Sequence, residues 1–187
     1  MKAFFHQYSY GIIKMFVNQF AIAIFGAVLT LATAATHNSF LIVGVSVFSI
    51  IFYLFLIYTM TWEIGAKDRI SVDCGKKPYR PHTGLWLSLL ANVPNLLIAL
   101  LFAISQPFCQ TERWAGNMHA ILLAISIFLE GMYYGIISRF DHFWLLYFLI
   151  VIPALLTAWF SYFMGFKNKR FLAGYFDKRM KEKNHNR

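Results

Sequence analysis

Glu130 is an acid set inside an apolar run, residues 118–138, with no other charge between Arg113 and Arg139. On insertion scales a charge at the centre of a membrane helix costs ~2.5–3.5 kcal/mol, so an acid kept there is a functional candidate by default. Its chemistry would be proton uptake and release along a path through a bilayer. Ser126 and Tyr134 lie one helical turn to either side and have hydroxyls to offer it.

A second constellation, Asn92-Val93-Pro94-Asn95, sits in the middle of the run 84–106. Pro94 has no N–H to give the Leu90 carbonyl, so a helix here is interrupted and the freed group needs another partner. Ser88, Asn92 and Asn95 fall on one helical face with Gly84 and Ala99. Two readings follow. One is a discontinuous helix lining a substrate or ion path; the other is a kinked helix whose amides tie neighbouring helices together.

Other chemistry finds no support. HExxH, GxSxG, Walker A and CxxC patterns are absent, the six histidines are scattered, and no second acid within an apolar run pairs with Glu130. The sequence therefore predicts neither an enzyme nor a bound metal or cofactor. Cys74 and Cys109 have no metal-ligand spacing and flank the run 84–106.

These candidates must be positioned by helices in lipid. The chain has 187 residues, of which 59% are hydrophobic and only 13% charged, about half the charge of an ordinary soluble domain. Roughly 20 helical residues span the ~30 Å hydrocarbon layer. Apolar runs at 15–35, 40–62, 84–106, 118–138 and 143–166 meet or approach that length. The expected fold is an all-α integral membrane protein, one polytopic domain over 1–187 that packs four to five hydrophobic helices into a compact bundle.

Small residues at helical spacing mark the expected contacts between helices. Gly131 and Gly135 form a GxxxG in register with Ala120 and Ala124; Ala154 and Ala158 continue to Ser161 and Gly165; Ala23, Ala27, Thr30 and Ala34 form a third stripe. Each permits close approach, within one subunit or between two.

Charge sets the expected orientation. The loop 63–83 is basic, with five cations, and the tail 167–187 carries eight. Glu63, Lys67, Asp68 and Arg69 read as a helix continuing beyond the membrane, with Glu63 and Lys67 poised for an i,i+4 pair, and as candidates for cytoplasmic recognition. If all five runs crossed, loop and tail would face opposite sides. If one of the last three falls short, the N-terminus, loop and tail share a side and bring fifteen of the seventeen cations together, the arrangement favoured by the positive-inside rule. The run 118–138, with its acid, is the first candidate to be re-entrant or interfacial; 84–106, folded back at Asn92–Asn95, is the second.

Three functional expectations result. The leading one is a small membrane protein acting by association, an accessory or assembly subunit with a membrane-protein partner or a second copy of itself. The next is a small transporter or channel with a polar path around Asn92, Asn95 and Glu130. The third is a lipid-binding protein. The charge of +9 is assigned to anionic lipid headgroups at loop and tail, not to nucleic acid, because the cations flank the apolar runs. The expected location is the cell membrane, with loop and tail cytoplasmic.

Overall fold

The computed structural model describes residues 2–108, 113–140 and 144–169. Cys109, the link at 141–143 and the tail beyond residue 169, all named above, lie outside them. Among the described residues there are helices and no strands.

Two long helices start the chain. α1 (Lys2–Ala34) and α2 (Ser39–Asp73) are joined by a short uncharged link in which Asn38 Oδ1 accepts the Phe40 N–H at 3.0 Å and caps α2. At 1.5 Å per residue the 35 residues of α2 extend over ~50 Å, more than a bilayer core, so its last turns stand clear of the hydrocarbon as the charged stretch 63–69 requires. α2 ends at Gly75, whose positive φ of 69° closes a Schellman turn: Gly75 N–H donates to the Val72 carbonyl and Lys76 N–H to Ser71.

The remaining helices are broken. α3 (Thr83–Ala91) and α4 (Val93–Ser105) meet at Asn92 with a bend of 54°. Pro94 occupies the first turn of α4, where its missing N–H has no intrahelical partner to lose. α5 (Arg113–Glu130) stops at the acid itself; a 3₁₀ turn, Gly131–Tyr133, leads into the four-residue α6 (Tyr134–Ile137). α7 (Trp144–Leu149) and α8 (Val151–Phe166) form a last run interrupted at Ile150, where Pro153 leaves the Leu149 carbonyl without its helical donor.

Four helical stretches are long and apolar enough to cross a membrane, Phe4–Ala34, Ser39–Asp73, Arg113–Phe140 and Trp144–Phe166, and the bent α3–α4 pair makes a fifth if taken as one span. No more than 44% of any of the four span windows is buried, and large apolar side chains such as Phe20, Phe48, Leu97, Phe128 and Leu156 face outward. Polar groups such as Ser88, Asn92 and Glu130 are inside. Water would not tolerate that surface; lipid requires it.

The bend lies in 84–106, the second of the two sequence candidates, yet this segment does not turn back. α3 packs along α8 and α4 along α7. A Cβ on Gly84 would strike Ala158, while Phe102, eighteen residues on, stacks on Tyr147 with ring centroids 4.7 Å apart. α3–α4 thus runs antiparallel to α7–α8 over the length of the bundle. The segment 113–140 behaves differently. His119, near its start, meets Phe102 and Ser105 at the close of α4, and its end leads into α7. Its two ends lie toward the same end of the bundle, although by length and apolarity it could cross.

At the opposite end, Tyr79 of the basic loop stacks on Phe166 at 4.4 Å, Trp62 Nε1 donates to the Lys169 carbonyl at 2.9 Å, and Tyr8 near the N-terminus reaches Asp68. N-terminus, loop and the close of α8 share this loop end. In a Cys109→Ser background and sealed vesicles, exposed Cys74 and an Asn168→Cys variant should react with an impermeant maleimide from one face, and Asn38→Cys from the other. Labelling of positions 74 and 168 from opposite faces would contradict the arrangement.

Candidate functional site

The two helix breaks lie in the interior on either side of Tyr53 of α2. On the α3–α4 side, Ser88, Asn92 and Asn95 are all at most 2% exposed. The Asn92 amide donates to the Ser88 carbonyl at 2.8 Å, and Asn95 Nδ2 donates to Asn92 Oδ1 at 3.3 Å. Backbone bonds run through the break on both sides, from Asn92 N–H to Ser88 and from Leu96 N–H to Asn92, each at 3.0 Å. The polar face is buried, with Asn92 bonded within α3 and to Asn95 and lying beside the Tyr53 hydroxyl of α2.

Across from it, the Tyr53 hydroxyl of α2 neighbours the Asn92 side chain and lies within electrostatic reach of Tyr133 and Glu130. Glu130 is 3% exposed. Tyr147 of α7 faces it from another side, next to Ser126. A void of about 10 Å³, room for roughly one water, is lined by Ser126, Glu130, Tyr134 and Tyr147.

The expected hydroxyl support for Glu130 is corrected in part. Ser126 Oγ donates to the Leu123 carbonyl at 2.8 Å instead. The α-helix ends at Glu130, yet Tyr134 still lines the same void as Ser126 and Glu130. Glu130 Oε2, Asn95 Oδ1 and the hydroxyls of Tyr53 and Tyr133 are buried and make no hydrogen bond within the protein. An unpaired buried polar group costs ~1–3 kcal/mol, so these oxygens, one on the acid, one on the amide pair and two on neighbouring tyrosines, mark a place kept for something other than packing.

Sequence reasoning missed the tyrosines. Tyr133, three residues from Glu130, was detectable as a local partner; Tyr53, in an uninterrupted apolar run, carried no signal.

The small residues hold the frame around this core. A Cβ on Gly131 would meet Ala23 and Ala27, and one on Gly135 would meet Ser46 and Ile42, so the GxxxG packs on α1 and α2 of its own chain. Gly135 N–H also donates to Ser46 Oγ at 3.1 Å. Ala154 and Ala158 are buried, with Ala158 against Gly84. The faces at Gly131, Gly135 and Ala158 are occupied within the subunit. The stripes are also shorter than expected: Ala120, Ala124 and Ala34 are exposed, the first two before the helix break at Glu130 and the last at the end of α1.

The four cytoplasmic recognition candidates separate. Asp68 is buried and accepts from Tyr8 OH at 2.5 Å, Tyr162 OH at 3.0 Å and Lys77 Nζ at 3.2 Å. It is a structural node joining α1, α2, the loop and α8, not a surface group. Glu63 and Lys67 are exposed and, with Lys14 and Lys77, line a cavity of about 250 Å³ at the loop end. The Glu63–Lys67 pair does not form; among the described residues the ion pairs are Lys77–Asp68 and Arg69–Asp73, the latter 3.5 Å apart.

No family model, curated protein or solved structure matches the chain. It is a small helical membrane protein, and its chemistry is read from these residues alone.

Proposed function

We propose that the chain is a small transporter or channel for protons or a small polar solute, with a path past Ser88, Asn92, Asn95 and Glu130. The observation that carries this reading is the meeting of two interrupted helices at one buried cluster that holds a carboxyl group, two amides and unpartnered tyrosine hydroxyls. Broken helices at mid-bundle are where transporters bind their substrates, since only there can backbone and side-chain polar groups turn toward a ligand without facing lipid. The void beside Glu130 is too small to conduct, so this is a closed state and passage requires the breaks to flex. The N-terminal segment, basic loop and tail face the cytoplasm in the cell membrane, a placement supported by the fifteen cations they carry between them.

The association role has less support, because the small-residue faces that motivated it are filled by the chain's own helices.

Purified protein in sealed liposomes with an imposed pH gradient tests the proposal. Wild type should collapse the gradient faster than empty liposomes, and Glu130→Gln, which keeps shape but cannot carry a proton, should return the rate to background. Asn92→Ala should slow it. Wild-type flux no greater than that of empty liposomes, for protons and for a panel of small polar solutes, would overturn the reading.

A further inference from the structure

A groove of about 480 Å³ opens at the loop end between the start of α1, the basic loop and α3, within the ~300–1,000 Å³ range of small-molecule sites. Phe4, Phe5, Trp86 and Leu90 supply apolar walls, and Arg80 and His82 contribute the polar edge. Trp86 is half-exposed, and tryptophan favours the zone between headgroups and acyl chains. Arg80 is exposed and takes no part in the ion pairs formed among the described residues. An apolar slot with a free guanidinium at its mouth, in a surface that meets lipid on all sides, matches one chemistry: an acyl chain below a phosphate.

We propose that this groove seats one anionic phospholipid from the surrounding leaflet, its phosphate on Arg80 and the upper part of an acyl chain against Phe4, Phe5, Trp86 and Leu90. The site is separate from the polar core and does not depend on its function. Charge decides the occupant. The chain's own tail, which begins with Lys167, Lys169 and Arg170, carries the same sign as Arg80, whereas an anionic headgroup is complementary to it and to Lys76 four residues earlier.

Lipid retained through detergent purification, read by native mass spectrometry, provides the test. Phosphatidylglycerol should be retained over phosphatidylcholine of identical acyl chains, and Arg80→Gln should reduce that preference roughly fivefold, the value of one cation near a lipid surface. Trp86→Ala should reduce retention of both lipids. Inorganic phosphate at millimolar concentration should not displace the lipid. Equal retention of the two lipids by wild type, or an unchanged preference in Arg80→Gln, would overturn the proposal. So would loss of the preference on truncation after Lys169, which would assign it to the tail. Unchanged melting of Arg80→Gln in neutral detergent shows that a lost preference is not lost fold.

Discussion

Asp68→Ala will destabilise the protein by about 3 kcal/mol, the largest effect expected of any single polar substitution in the described residues. The carboxylate is buried at the loop end and receives Tyr8, Tyr162 and Lys77. Removing it strands two phenols and a lysine that were arranged around a negative charge. The figure lies at the lower end of the range for broken buried pairs because the Lys77 side chain is 34% exposed and can turn to water. For the same reason Lys77→Ala should cost only about 1 kcal/mol. Equilibrium unfolding in mixed micelles measures both, and a wild-type unfolding midpoint for Asp68→Ala would remove the node from the account.

Gly65→Ala and Gly165→Ala should each cost about 1–3 kcal/mol, and their combination should prevent α2 and α8 from docking. The two helices run side by side in parallel, with Thr61 bonded to Ser161, and a Cβ at Gly165 would strike the Trp62 carbonyl while one at Gly65 would strike Tyr162. Both collisions are with backbone, which cannot swing away as a side-chain tip can. In lipid, where no hydrophobic force presses helices together, close approach of this kind is the main source of helix affinity. Gly44, with open space around its missing Cβ, supplies the control: Gly44→Ala should leave stability unchanged or slightly raised. Recovery of folded protein after detergent extraction and its melting temperature distinguish the four variants; a double variant as stable as wild type would exclude tight α2–α8 contact.

What could be read in advance was whatever leaves a local trace. The apolar runs became helices because hydrocarbon permits little else, and the continuation of α2 through Glu63 to Arg69 was legible in the charged stretch, although the helix runs on to Asp73. The α3–α4 break was legible in Pro94, since a missing N–H is a property of one residue. The buried stripe of Ala154, Ala158, Ser161 and Gly165 was legible from spacing alone.

Other features depend on partners far along the chain. Asp68 looked like its exposed neighbours Lys67 and Arg69, because its two phenol donors lie 60 and 94 residues away. Tyr53 looked like any aromatic side chain in lipid until Asn92 and Glu130 were brought opposite it. The end of α5 at Glu130 had no proline to announce it. The 3₁₀ turn there lets Gly131 sit against Ala23 and Ala27, a requirement imposed by α1 and not by the segment itself.

The node at Asp68 also bears on how the protein comes into being. Of its three donors, Tyr8 has been synthesised before the aspartate, Lys77 follows within nine residues, and Tyr162 emerges from the ribosome last. Until α8 has been made, the anion sits at the edge of a helical hairpin with one place around it open, and docking of α8 fills that place. Closure of the bundle at this end therefore waits on a residue 94 positions downstream of the carboxylate that it completes.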